Sequence, residues 1–376
     1  MRDRRRAGLV RGGAALLLLL ASLACLGFGP PVISDGRQGG LRMHPEHVRA
    51  AYNLTRRPAV TARAALVVDL DAGQTLYSLR PNEPLPPAST AKLMTALVTV
   101  RQANLDSRVV ISARAAGTPG SRMGLTAGET LTVRDLLYGL LLPSGNDAAV
   151  ALAEHVAGSE AVFVRLMSET AAELGLRGTR FTNAHGGDEP GETITAADLV
   201  GLARAALVYP ALAQIVATPS AKIAGRTLTN TNELLGVYRG ADGVKTGTTD
   251  LAGECLVASV TRDGHRLLTV VLGSQDRYAD TRALLDFADR GWQWQNVALP
   301  NDALAWADGS DGAAYRLQTA AAPALFLPRW QWSLAQPVRA LDPTIPLTST
   351  LPVGTLTLTF AGRPLAETPL TVRQGP

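Results

Sequence analysis

Apolar and polar positions along the chain alternate in two rhythms, one with the period of a strand and one with the period of a helix. Ala64 to Leu70 reads as a strand, Asp71-Ala72-Gly73 as a turn, and Thr75 to Leu79 as the returning strand. After Pro86-Pro87, the residues Leu93, Ala96, Leu97 and Val100 fall at i, i+3, i+4 and i+7, the stripe of a buried helix whose first turn two prolines can set. Ser89 then sits in or next to that first turn, with Lys92 three residues on along the same face.

Further along, Thr132-Val133-Arg134-Asp135 is a capping-box start for a helix with Leu136, Leu137, Leu140 and Leu141 on one face, and Pro143 stops it. The polar loop Ser144-Gly145-Asn146-Asp147 separates it from an apolar helix running from Ala148 to Val156. Residues 160–220 are mainly helical by pattern, broken by an irregular loop at Phe181 to Gly187. Cys255 to Val260 and Leu267 to Leu272 flank Asp263-Gly264, the strongest short signal for a hairpin, so the segment Gly243 to Thr249 is expected beside an antiparallel sheet. A helix from Thr281 to Ala288 closes this region. Past Trp292 the texture changes to prolines and short alternating stretches, such as Thr355 to Phe360 turning at Ala361-Gly362 into Leu365 to Val372. This predicts a small β-sandwich of about 80 residues. The fold class expected is α/β, an antiparallel sheet packed by helices, followed by that β-domain.

Composition changes the picture at three points. The chain has 36 basic residues, and only Lys92, Lys222 and Lys245 are lysines. Arginine cannot lose its proton and lysine can, so a lysine kept in such a background points to proton chemistry. The N-terminal residues carry Arg2, Arg4, Arg5, Arg6 and Arg11, then Gly12 to Ile33 is free of charge. Residues 1–33 are therefore expected to be a signal peptide or an N-terminal membrane anchor, with Cys25 a candidate for lipid attachment. They also carry the whole formal charge of +4, so the pI near 9.3 gives no support to nucleic-acid binding. Finally, only Cys255 remains after Cys25, which leaves no intrachain disulfide, and no zinc-type spacing of Cys or His occurs, so no metal and no cofactor are expected. Residues 34–60, with Gly39, Gly40, Pro45 and Pro58, read as a linker. The expected division is thus 1–33, 34–60, a catalytic domain at 61–292 and a β-domain at 293–376. No C-terminal membrane anchor is expected.

Taken singly, the polar motifs have ordinary readings: a capping serine with a surface lysine, turn chemistry at Ser144-Gly145-Asn146, a histidine at 185 that is either a general base or a structural side chain holding its loop. Taken together, Ser89-x-x-Lys92, Ser144-x-Asn146 and Lys245-Thr246-Gly247 are the three elements of penicillin-interacting serine enzymes, in their order and on the expected helix start, inter-helix loop and strand. With Asn183-Ala184-His185-Gly186 and Asp242-Gly243 they make the stretch from about residue 60 to 290 resemble the D-alanyl-D-alanine carboxypeptidase family of low-molecular-mass penicillin-binding proteins.

The resemblance implies a β-lactamase/transpeptidase-like catalytic domain. It implies Ser89 as nucleophile, Lys92 as base and Ser144 as proton relay. Asn146, Lys245, Thr246, Gly247 and Thr248 would bind substrate, with Arg277, on the loop before the closing helix, helping to hold a terminal carboxylate. Thr248 stands where some relatives have histidine. The implied partners are the peptidoglycan stem peptide as substrate and β-lactam antibiotics as inhibitors, with an exported site of action at the periplasmic or extracellular face of the cytoplasmic membrane. Two other functions share the motifs: a non-hydrolysing peptidoglycan-binding or β-lactam-sensing protein, and a β-lactamase. The second lacks an E-x-x-x-N element between Ser144 and Lys245 to supply a deacylating glutamate.

Overall fold

The computed structural model describes residues 56–300 and 303–373. The export segment at 1–33, Cys25 and most of the 34–60 linker lie outside the described residues. The chain forms two compact units, and the first is Arg57–Ala288.

In that unit, β1 (Ala64–Asp69) is buried along its whole length and turns back into β2 (Gln74–Leu79). A short 3-10 turn, Ala88–Ala91, leads directly into α1 (Lys92–Gln102). Then come β3 (Arg108–Val110), α2 (Ala113–Gly117), β4 (Thr130–Thr132), α3 (Val133–Leu141), α4 (Asn146–Ala157) and α5 (Glu160–Glu173). After residues 174–195 follow α6 (Ala196–Leu207), α7 (Pro210–Val216), β5 (Ser220–Ile223) and β6 (Arg226–Thr229). The unit ends with β7 (Ala241–Thr249), β8 (Gly253–Arg262), β9 (His265–Ser274) and most of α8 (Arg277–Gly291), whose last residues pass the unit's boundary at Ala288.

The main sheet has the order β2-β1-β9-β8-β7, every neighbour antiparallel. Asp263 and Gly264 both adopt positive φ (50° and 83°), the backbone a two-residue hairpin turn demands, and Arg262 faces His265 across it. α6 packs on β1 and β9 and α7 on β7, while α1 lies amid α3, α4, α5 and α6. Every residue of α1 from Lys92 to Thr99 is buried, so the stripe read from the sequence widens to an all-round core helix. α3 begins with the predicted capping box: Thr132 accepts from the Asp135 backbone and Asp135 from that of Thr132.

Three parts differ from expectation. Residues 174–195 hold no helix; glycines at 175, 178, 186, 187 and 191 interrupt the pattern, and the segment is pinned by bridges Leu85↔Ile194 and Arg180↔Thr193. Residues 220–229 form the small β5–β6 hairpin. The closing helix starts at Arg277, four residues early, because Asp276 caps it through Oδ1, accepting from Tyr278 N (3.0 Å) and Ala279 N (2.8 Å).

The second unit contains β10 (Trp292–Asn296), β11 (Trp306–Asp308), β12 (Ala314–Thr319), β13 (Ala324–Pro328), α9 (Arg329–Trp332), β14 (Gln336–Leu341), β15 (Gly354–Phe360) and β16 (Arg363–Val372). Where a small β-sandwich was expected, the unit is β-rich, with a five-stranded sheet β11-β12-β16-β15-β14 and a two-stranded ribbon β10-β13. Val297, Leu317, Val353, Leu356 and Leu370 form its buried centre.

Candidate active site

Ser89 sits on the 3-10 turn before α1, half-buried, with Lys92 opening the helix itself. Ala88, the residue before the serine, has φ +47°, an unfavourable value for a side chain with a Cβ and one that recurs where a tight turn presents a reactive group. Lys92 is fully buried, and its Nζ donates to Ser89 Oγ (2.8 Å) and to the carbonyl oxygen of His185 (2.7 Å). Burial holds the Lys92 pKa well below that of an ordinary lysine; the neighbouring Lys245 ammonium lowers it further, and Glu192 and Asp147 oppose the fall. A neutral amine bonded to a hydroxyl can take that hydroxyl's proton as the oxygen attacks.

β7 brings in the second lysine. Lys245 is buried and donates to the carbonyl of Thr246 (2.9 Å); burial first, then the Arg277 charge, bring its pKa down to about 7. Thr246 shares a hydrogen bond with Thr231 (2.6 Å). A Cβ added to Gly247 would sit 3.0 Å from both Ala88 Cβ and Ser89 N and 3.1 Å from Thr90 N. The glycine thus has a reason the sequence does not show, since it lets the strand lie against the serine turn. Thr248 is exposed at the strand's end.

Arg277 reaches this end of β7 from the first residue of α8, not from a preceding loop. Its guanidinium donates to the carbonyls of Gly247 (2.8 Å) and Cys255 (3.1 Å), to Thr248 Oγ1, and to Glu254 (3.2 Å). It is a buried cation tied to the strand that carries Lys245 to Thr248.

Ser144 enters on the loop between α3 and α4 and Asn146 as the first residue of α4, and both helices pack on α1. Ser144 has φ +65°, and its Oγ is buried with no hydrogen-bond partner. That leaves its proton and lone pairs available to an incoming group. Asn146 donates through Nδ2 to the carbonyl of Pro119 (2.8 Å), and its backbone N–H goes to Ser121 O (2.7 Å). Asp147, fully buried, accepts from the N–H groups of Met123 (2.8 Å), Gly124 (2.9 Å) and Leu125 (3.1 Å). One carboxylate therefore ties the segment 119–125 to the start of α4.

The loop around His185 supports Lys92 from its other side. Asn183 Oδ1 accepts from the N–H groups of His185 (3.0 Å), Gly186 (2.7 Å) and Gly187 (3.2 Å). His185 Nδ1 accepts from Gly187 N (3.2 Å), and burial, followed by the Lys92 charge, pushes the imidazole pKa down to about 4. Its ring holds the loop while its carbonyl receives the lysine, the loop-holding reading of the two offered by the sequence. Gly186, at φ +78°, passes so near that a Cβ would collide with Ala88 O at 1.9 Å.

Two buried carboxylates of this neighbourhood escape sequence reasoning as site residues. Asp147 follows Asn146 and reads as a first-turn helix acid, and Glu192 lies in Gly187-Asp188-Glu189-Pro190-Gly191-Glu192, which reads as solvated loop. Each is buried by tertiary contacts that no local pattern announces.

Comparison with known proteins points to a single family. A family model described as D-alanyl-D-alanine carboxypeptidase (peptidase S11) matches residues 51–276. The chain is 31% identical over 377 residues to the D-alanyl-D-alanine carboxypeptidase DacF of Bacillus subtilis, covering 96% of this chain and 93% of that protein. It is 41% identical over 221 residues to DacB2 of Mycobacterium tuberculosis, covering 57% of this chain and 76% of that one. Among solved structures, penicillin binding protein 6B from Escherichia coli superposes with a TM-score of 0.66 at 29% identity, over 85% of this chain and 97% of that one. With a lysine-bonded serine at a helix start, a polar inter-helix loop and a lysine strand converging in a sheet-and-helix fold, the chain belongs to the D-alanyl-D-alanine carboxypeptidase family.

Proposed function

We propose that the protein is a serine-type D-Ala-D-Ala carboxypeptidase that removes the terminal D-alanine from peptidoglycan stem pentapeptides and is acylated by β-lactams. Ser89 Oγ attacks the carbonyl carbon of the D-Ala-D-Ala bond while Lys92 Nζ takes its proton. The tetrahedral oxyanion is met by the backbone N–H groups of Ser89 and Thr248, as the family resemblance assigns them. Collapse breaks the C–N bond, and Ser144 passes the proton to the departing amine of D-alanine. Water then attacks the acyl-serine ester, Lys92 accepting its proton, which returns to Ser89. Asn146 holds the substrate's peptide group, while Lys245, Thr246 and Arg277 supply positive charge and a hydroxyl for the terminal carboxylate. A β-lactam amide presents its carbonyl and carboxylate to the same groups.

The observation that carries this reading is the 2.8 Å bond from a fully buried, pKa-depressed Lys92 to Ser89 Oγ. Export to the outer face of the cytoplasmic membrane is part of the proposal, since the substrate class lies there and residues 1–33 have the charge pattern of an export signal. The test is Ser89→Ala: it loses both D-alanine release from a pentapeptide and covalent labelling by a fluorescent penicillin. Unchanged release in that variant ends the proposal.

A further inference from the structure

Glu192 is 4% exposed, and its carboxylate Oε2 accepts from Asn183 Nδ2 (2.6 Å) and Thr182 Oγ1 (2.6 Å). Asn183 in turn gathers three consecutive N–H groups of the 185–187 turn on its Oδ1, and the His185 carbonyl at the head of that turn receives Lys92. An unbroken run of hydrogen bonds and one short turn therefore connects a buried carboxyl to the amine that faces Ser89. We infer that Glu192 is a positioning residue for Lys92: by fixing the Asn183 amide, it sets the carbonyl that orients the lysine's amine toward the serine hydroxyl. This rests on the reading of Ser89 and Lys92 as nucleophile and base.

Two further observations fit. Thr95 Oγ1, one helical turn beyond Lys92, donates to Ala184 O (2.5 Å), so the same turn is also fastened to α1 and its height relative to Lys92 is fixed at two points. Glu192 Oε1 has no hydrogen-bond partner, and burial pushes the carboxyl's pKa up to about 7. At neutral pH the group spends much of its time protonated, so a glutamine amide is close to it in shape and in charge. The acceptor toward Asn183 is the property the lysine needs.

The charges that act on Lys92 are those of Lys245 on β7, Glu192 and Asp147 on α4; on Glu192 they are Glu189 and Lys92, and on His185 they are Lys92, Glu160 and Arg114. Besides Glu192, Asn183 Nδ2 donates to Thr182 Oγ1 (3.4 Å) and Gly187 O (3.3 Å).

The experiment is stopped-flow acylation by a reporter penicillin on the full chain, separating the dissociation constant of the first complex from the acylation rate constant. Glu192→Ala removes the acceptor and lowers the acylation rate constant by about 10- to 100-fold, the scale of a slightly misplaced reacting group, while the dissociation constant stays put. Glu192→Gln keeps an acceptor oxygen for Asn183 and restores most of that rate. If Glu192→Ala lowers only the thermal midpoint and acylates at the wild-type rate, the residue is merely structural and the inference fails. If Glu192→Ala does not fold, Glu192→Gln carries the test, and a tenfold loss of acylation in that folded variant overturns the inference. Ser89→Ala runs alongside: a wild type that is not labelled, or a serine variant that still is, brings down the nucleophile reading itself and is told apart from failure at Glu192.

Discussion

Gly247 runs so close to the serine turn that a methyl group on it would lie 3.0 Å from the backbone nitrogen of Ser89. Strand and serine turn are thus held in van der Waals register by the absence of a side chain. The neighbouring atoms are backbone and a Cβ, so they yield only by moving the turn. Gly247→Ala is expected to fold and to bind penicillin, with acylation slowed by up to about 10²-fold, since a shift of the turn approaching 1 Å displaces both the Ser89 hydroxyl and its backbone N–H. Near-wild-type acylation in this variant would show that the turn relaxes freely.

Lys245 sets stability against function. Its pKa in the fold is about 7, against about 10.4 for a lysine in the unfolded chain. Between these values the unfolded state binds more protons, so the stability owed to this residue rises with pH, and the cost of burying it is full below about 7 and gone above about 10. Lys245→Met should therefore raise the thermal midpoint at pH 6–7 (about the lower bound of this window) and lose that advantage toward pH 10, while cleavage of D-Ala-D-Ala substrates is abolished. A variant less stable than wild type at every pH would mean that Lys245 is charged and well paired in the fold.

Asp147 is the clamp of the Ser144–Asn146 loop. Removing it leaves three N–H groups of Met123, Gly124 and Leu125 without their acceptor. At about 1–3 kcal/mol for each buried donor left unpaired, partly relieved by water, Asp147→Ala should lose about 3 kcal/mol or more. The urea midpoint reports the loss, and limited proteolysis should cut first within residues 119–125. An unchanged midpoint would show that the segment is held by other contacts.

The legible parts of this molecule are those with local causes. The Asp263-Gly264 turn, the capping box at Thr132 and the Ser89 helix start each announce themselves within a few residues, and each is where it was expected. The β5–β6 hairpin was missed although Ala224-Gly225 turns it, because Ser220 to Thr229 is too short and too polar to alternate clearly. Asp276 is a recognisable cap, yet the polar first turn of α8 hid the helix behind it. The environment of Lys92 was least legible. Its partner is a main-chain carbonyl 93 residues away, and the carboxyl behind that carbonyl sits in a run of Gly, Asp, Glu and Pro. Such contacts depend on how a loop without regular structure lies over a helix, which periodicity does not record.

The sheet order has a consequence for how the enzyme comes into being. Ala64 is registered against Leu272, so the first strand of the unit finds its inner neighbour only when the last strand exists. Contacts of such long sequence separation are slow to form. A chain that ends before β9 already carries Ser89, Lys92 and Lys245, but it lacks the strand that joins β1 and β2 to β8 and β7, so the sheet on which these residues are set against one another stays in two halves.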